Sequence, residues 1–136
     1  MLLTDVVRHA AERYGEQEAI VCGTYRLTYA VLIERACRLV SGLYRLGYKP
    51  GDRIAIISQN CHRVVEVYIA AAISGLVAAP MKVQYPLDEI QEMLLNTAPS
   101  CIIADVRDEE RVREAASMLA ETRLVWWDDD AREDQY

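Results

Sequence analysis

Long apolar runs are missing from this 136-residue sequence, and none approaches the roughly eighteen residues that a membrane-spanning helix needs. The first residues, MLLTDVVRHAAERYG, carry an acid as early as Asp5 and lack the anatomy of a signal peptide. We therefore expect no membrane span and a cytoplasmic protein.

Cysteine and glycine are both sparse and scattered. The four cysteines, at 22, 37, 61 and 101, form no CxxC pair, and each lies in an apolar run where cysteine usually acts as a small core residue. We expect neither a disulfide nor a metal site. The six glycines are isolated, so neither a GxGxxG nor a GxxxxGK phosphate loop is present.

Basic residues are too few to suggest a nucleic-acid partner. Lysine and arginine number 15 against 21 aspartates and glutamates, which gives a net charge of −6. All of the acidic excess lies after residue 86, where five lysines and arginines face 14 aspartates and glutamates, whereas residues 1–86 hold ten basic against seven acidic residues. This distribution argues against nucleic acid or an anionic membrane as the partner.

The centre of the chain, residues 51–82, has the pattern of a strand, a helix and a second strand. The run Arg53–Ser58 is β-branched and apolar, as in a strand buried on both faces. Residues 61–74 are apolar nearly all round, with Asn60 placed to cap a helix and Gly75 to end it. Residues 77–81 then supply the second strand. This sequence predicts a βαβ unit with parallel strands.

The remaining segments extend this pattern in both directions. We predict a helix at 2–14, a hairpin of strands 19–22 and 25–28 around Gly23-Thr24, a helix at 29–46, a helix opening at Pro86, a strand at 100–105, a helix at 108–121 and a strand at 123–127. The fold class is therefore α/β, a layered domain with a mainly parallel sheet built from βαβ units, preceded by a helix and a β-hairpin. Residues 1–128 form a single domain in this prediction, and residues 129–136 form a polar tail.

Polar side chains follow the first two parallel strands, where ligands of α/β proteins usually bind. Ser58, Gln59 and Asn60 follow one strand, and Lys82, Gln84 and Tyr85 follow the next. We take these as candidate cofactor-binding residues. The alternative is that Asn60 only caps a helix and Lys82 only solvates a loop.

No residue is predicted to be catalytic. Cys61 and His62 could suggest a nucleophile and its base, but neighbouring helical residues point about 100° apart. We interpret both as structural residues of the first helical turn. His9 is predicted to be a surface histidine.

Three segments of the chain resemble a known family. LTYAVL (27–32), GYKPGDRIAIISQN (47–60) and YIAAAISGLVAAPMK (68–82) look like the opening blocks of the adenylate-forming, or AMP-binding, superfamily, and most resemble its acyl-CoA synthetases. The resemblance implies a parent enzyme that activates a carboxylate with ATP and magnesium to an acyl-adenylate and then transfers the acyl group to CoA. The family's phosphate loop and catalytic lysine come later in such enzymes. The resemblance therefore implies that this chain is an N-terminal lobe, inactive alone, without cofactors of its own and partnered by the remainder of the parent.

Two other functions stay open at this point. The chain could be a stand-alone, non-catalytic interaction or assembly module, or a small nucleotide-binding domain of the flavodoxin type. The second is disfavoured because no loop offers a phosphate cradle. Because residues 64–73 and 77–81 contain almost no polar side chain, we also expect an exposed apolar face that could form a homodimer.

Overall fold

The computed structural model describes residues 1–128, so the predicted polar tail at 129–136 lies outside the described residues. In chain order the elements are α1 (Leu3–Tyr14), β1 (Glu18–Cys22), β2 (Tyr25–Thr28), α2 (Tyr29–Arg45), β3 (Arg53–Ser58), α3 (His62–Ser74), β4 (Val77–Lys82), α4 (Leu87–Thr97), β5 (Cys101–Asp105), a 3₁₀ turn (Val106–Asp108), α5 (Glu109–Ala116) and β6 (Arg123–Trp127). Within residues 1–128, no helix is long and apolar enough to cross a membrane.

The described chain divides into two compact units. The N-terminal unit comprises residues 1–50 and 61–76, and the sheet unit comprises residues 51–60 and 77–128. The single domain over residues 1–128 stays a prediction.

The sheet unit contains a four-stranded parallel sheet in the order β4-β3-β5-β6. Strands β3 and β4 pair in parallel and are joined through α3, which confirms the strand, helix, strand arrangement predicted for residues 51–82. The central strands β3 and β5 are buried from Ile54 to Ser58 and from Cys101 to Asp105. The α/β fold class with a mainly parallel sheet is therefore confirmed.

Helices α4 and α5 pack on one face of this sheet because each presents an apolar stripe to it. The fully buried side chains of Ile90 and Leu94 come from α4, and those of Val112 and Ala115 come from α5. They pack on the alternate strand residues that point to that face, Ala55, Ile57, Met81, Ile102 and Ala104.

In the N-terminal unit, α2 and α3 pack through small and branched side chains. Ala36 and Val40 of α2 and Ala70 of α3 form the buried cluster, with Leu39, Ile69 and Ile73 partly buried around it. Helix α1 contributes no buried residue and is tied to α3 by a hydrogen bond from Thr4 Oγ1 to the carbonyl of Ala72, at 2.9 Å.

Several turn predictions are confirmed by backbone geometry. Thr28 caps α2, its hydroxyl oxygen accepting a hydrogen bond from the Val31 amide at 3.3 Å. Gly75 ends α3 with a left-handed φ of 75°. In the hairpin, Cys22 pairs with Tyr25, and Gly23 takes a φ of 59°, which suits glycine as the first residue of a type II′ turn.

Three helix ends differ from the predictions. Asn60 does not cap α3, because the helix begins at His62 and Cys61 occupies the capping position, where its side chain makes no capping hydrogen bond. Pro86 lies just before α4 rather than inside it. Helix α5 ends at Ala116, five residues early, where the Ser117 hydroxyl donates to the carbonyl of Glu114 at 2.7 Å.

The predicted apolar face is more covered than expected. Between residues 64 and 73 only Tyr68 is exposed, at 38%, and in β4 the largest exposed apolar side chain is Val77, at 48%. The homodimer through this face stays a prediction.

Candidate functional site at the carboxyl edge of the sheet

The last residues of the four parallel strands line up in one row. Ser58 pairs with Lys82, and Asp105 pairs with Trp127. Ser58 lies one position beyond the Ile57–Ala104 pair and therefore neighbours Asp105. Strand alternation places all four side chains on the same face. We call Lys82, Ser58, Asp105 and Trp127 the carboxyl-edge row.

The row contains two of the candidates predicted from the sequence, Ser58 and Lys82. Ser58 is 7% exposed, and its hydroxyl donates to the carbonyl of Gln59 at 2.8 Å. Lys82 is exposed at the end of the edge strand β4. The structure therefore brings these two predicted residues together, one buried hydroxyl beside one exposed ammonium group.

The other candidates lie in the two loops that leave this edge. Gln59, Asn60 and Gln84 are exposed, so their amide groups are open to solvent. Tyr85 is half-buried and packs against the core of the sheet unit. Its ring therefore contributes to packing, whereas the three amides are open to a ligand.

Asp105 was not predicted as a site residue. Its side chain is 5% exposed and accepts hydrogen bonds from Arg107, at 3.0 Å from Nε to Oδ1 and 2.8 Å from the backbone amide to Oδ1. Burial alone would raise the pKa of Asp105, but these hydrogen bonds and the charge of Arg107 together lower it below its ordinary value. A carboxylate at the end of the buried run SCIIAD was the available signal, since the same strand-end rule had selected Ser58 and Lys82.

Arg111 of α5 is a second residue that sequence reasoning missed. Its Nε donates to the carbonyl of Val83 at 2.8 Å, and an Nη donates to the carbonyl of Tyr85 at 2.5 Å. The guanidinium therefore contacts the loop between β4 and α4 through two backbone carbonyls. No local sequence signal points to this contact, because the partners lie 28 and 26 residues away.

A shallow groove of about 240 Å³ runs beside α5. Burial and then the neighbouring Asp105 carboxylate raise the pKa of Asp108, which lies in this groove, and nearby arginines oppose that rise. Three acids and two arginines line the groove: Asp108, Glu110, Glu114, Arg107 and Arg111. Such a mixed lining gives it little preference for an anion.

Cys61 and His62 lie at the start of α3, in the N-terminal unit. His62 is buried and stacks on the ring of Tyr25, with ring centroids 4.3 Å apart and planes inclined by 29°. This packing supports a structural interpretation of the pair. His9 is exposed, as predicted.

No disulfide joins the four cysteines, which all lie within residues 1–128, but the expectation that each is a core residue was wrong for Cys37, which is exposed on α2. Cys101 is the buried member of the set, while Cys22 and Cys61 are half-buried. Within residues 1–128, no group of three or more histidine, cysteine, aspartate or glutamate side chains is arranged to hold a metal ion.

Comparison with known proteins identifies the family. The profile of the AMP-binding enzyme family matches residues 7–135, nearly the whole chain. The chain belongs to this family. Its resemblance to the opening of adenylate-forming enzymes is thereby confirmed.

Relatives of the chain include CoA ligases and a protein named as a synthase. The 3-oxocholest-4-en-26-oate–CoA ligase of Rhodococcus rhodochrous is 32% identical over 123 residues, which cover 90% of this chain and 22% of that protein. Tyrocidine synthase 3 of Brevibacillus parabrevis is 27% identical over 115 residues, covering 85% of this chain and 2% of that protein.

A solved structure shows the same fold. The crystal structure of a protein described as a long-chain-fatty-acid CoA ligase, from Rhodopseudomonas palustris, superimposes with a TM-score of 0.86 at 33% identity. The superposition covers 95% of this chain and 33% of that chain. The chain thus spans at most a third of the length of these three proteins.

Proposed function

We propose that this chain is the N-terminal lobe of an acyl-CoA synthetase-like ligase. In this proposal the parent enzyme uses ATP and magnesium to convert a carboxylate to an acyl-adenylate and then transfers the acyl group to CoA. The observation that carries the proposal is the superposition on the CoA ligase from Rhodopseudomonas palustris, which spans 95% of this chain but only a third of that one. The remainder of the parent is the partner, and the cytoplasm is the proposed location.

We further propose that the lobe alone is inactive and holds no cofactor. The described residues do not fit the triphosphate of ATP. The exposed cation of the carboxyl-edge row is Lys82, the neighbouring Asp105 is a carboxylate, and the groove beside α5 is lined by three acids. A triphosphate instead needs a cradle of backbone N–H groups and several cations. No chemical step is therefore assigned to these residues.

Titration calorimetry with Mg-ATP tests the inactive-lobe proposal. We expect no binding tighter than about 1 mM, which corresponds to a free energy weaker than about −4 kcal/mol. Micromolar affinity would instead favour the small nucleotide-binding domain as the function of this chain.

The coding DNA beyond the codon of Tyr136 tests the existence of the parent. A reading frame that continues into a glycine-rich phosphate loop is the expected result. A stop codon at that point would overturn the lobe proposal and favour a stand-alone interaction or assembly module.

A further inference from the structure

We propose that Arg111 is a positioning residue that sets the conformation of the loop between β4 and α4, and so determines which loop side chains the carboxyl edge presents. The loop, residues 83–86, directly follows Lys82 of the carboxyl-edge row. The inference rests on the proposed function only in treating this edge as part of a site.

The loop leaves the sheet where backbone pairing between β3 and β4 ends. Beyond the Ser58–Lys82 pair, one further bond joins the strands, from the Val83 amide to the carbonyl of Ser58 at 3.3 Å. The Tyr85 amide then closes a turn on the carbonyl of Lys82 at 3.1 Å. The carbonyls of Val83 and Tyr85 need donors from elsewhere, since a half-buried carbonyl without a partner is costly.

Arg111 supplies both donors from one side chain. A guanidinium is a rigid planar fork, so its two bonds fix the spacing and direction of carbonyls that are two residues apart. These bonds go to neutral carbonyls even though the carboxylates of Asp108, Glu110 and Glu114 line the same groove. The position of Arg111 on α5 thus places its guanidinium within hydrogen-bond distance of both loop carbonyls.

This conformation determines how the loop side chains are directed. Val83 is buried and Tyr85 packs on the core, whereas Lys82 and Gln84 are exposed. If the loop carbonyls turned away from α5, this alternation would no longer be fixed. The arginine therefore acts on the site through the backbone, without contacting a ligand itself.

The test is hydrogen exchange, resolved by residue with NMR, on the full 136-residue chain. Arg111→Met keeps much of the apolar stem but removes the fork. Arg113→Met is the matched control, because Arg113 lies on the same helix but bonds Glu109 at 2.8 Å and lies over the Trp126 ring instead of bonding the loop. We expect exchange of the Val83 and Tyr85 amides to rise about tenfold or more in Arg111→Met. Amides in the central strands β3 and β5, and the loop amides of Val83 and Tyr85 in Arg113→Met, should keep their rates.

Arg111→Lys provides the second variant, since one ammonium group cannot reproduce two fork bonds. It should rescue the loop only in part, with exchange between that of the original chain and Arg111→Met. If amide exchange rises throughout the chain in Arg111→Met, the same comparison of loop amides with those of β3 and β5 is made in Arg111→Lys. Unchanged loop exchange in Arg111→Lys and Arg111→Met, or an equal rise in Arg113→Met, would overturn the proposal. The measurement uses no ligand, so its failure is distinct from that of the ATP titration.

Discussion

Removing the Arg35 side of the buried ion pair in the N-terminal unit should strongly destabilise the protein. Arg35 of α2 donates from Nε to Oε1 of Glu66 of α3 at 2.5 Å. The Glu66 side chain is fully buried, and that of Arg35 is 15% exposed. Breaking a buried pair by removing one partner typically costs about 3–5 kcal/mol, because a charge then stays buried without compensation.

Arg35→Met should lower the free energy of unfolding by about 3 kcal/mol, the lower end of that range. The lower end applies because the Arg35 side chain is still 15% exposed, so the pair is not fully removed from water. Urea unfolding followed by circular dichroism measures the change. The control is Arg38→Met on the same helix, whose partner Glu34 is as exposed as Arg38 itself, and which should cost at most about 0.5 kcal/mol.

A double variant separates charge burial from lost packing. Arg35→Met with Glu66→Leu replaces both charges by apolar groups of similar size and should recover stability to within about 1 kcal/mol of the original chain. Equal losses for Arg35→Met and Arg38→Met would show that the buried pair has no special energetic role. A double variant as unstable as Arg35→Met would refute the reasoning from uncompensated charge.

Three further predictions follow from turns, charge and exposed surface. Gly75→Ala should lower the free energy of unfolding in urea by about 1–2 kcal/mol, because φ is 75° and the added Cβ would lie 3.2 Å from Cβ of Pro50. The control Gly42→Ala places its Cβ in open space within α2 and should raise the free energy of unfolding by about 0.5–1 kcal/mol. Asp105→Asn should destabilise at pH 7 by up to about 1 kcal/mol, because its partner Arg107 is mostly exposed. Because folding lowers the pKa of Asp105, its carboxylate stabilises the fold above the unfolded pKa of about 4. The difference in unfolding free energy between Asp105→Asn and the original chain should therefore shrink as the pH falls below that value, which urea unfolding at a series of pH values measures. Light scattering at about 100 µM should detect dimers formed through the partly covered apolar segments 64–73 and 77–81, and a clean monomer without ANS fluorescence would contradict this.

The parallel sheet could be predicted closely because its strands carry a local signal. Arg53–Ser58 and Arg123–Trp127 have the predicted bounds, and Val77–Lys82 is one residue longer than predicted. Buried parallel strands are short apolar runs between turn residues, and such runs need no knowledge of their partners to be found.

The errors lie where tertiary contacts or competing local bonds decide. His62 is a first-turn residue, as interpreted, but its burial and its stacking on Tyr25, 37 positions earlier, were not predicted. Leu119 follows the helical period of α5 but lies beyond its end, in a turn where its amide bonds the carbonyl of Ala116 at 2.9 Å. The Ser117 hydroxyl competes for a helix carbonyl at this end, and the apolar pattern carries no signal of such a bond.

Within the candidate site, the sequence located the edge but not its contacts. Ser58 and Lys82 follow from the rule that ligands bind at strand ends, and their pairing in register follows from parallel strands. The contacts of Arg107 and Arg111 could not be predicted from the sequence. Arg107 and Arg111 take partners set by the path of the 3₁₀ turn and α5, and the sequence around each resembles any exposed helical segment.

The interleaved path of the chain limits how this protein can be divided. Residues 51–60 belong to the sheet unit, residues 61–76 to the N-terminal unit, and residue 77 begins the return to the sheet unit. No single cut in the backbone therefore yields two pieces that each contain a whole unit. A protease that cleaves between residues 51 and 76 damages both units at once, and a gene fusion or truncation placed there does the same. Split-protein designs and domain swaps in this chain would have to exchange α3 together with residues 1–50.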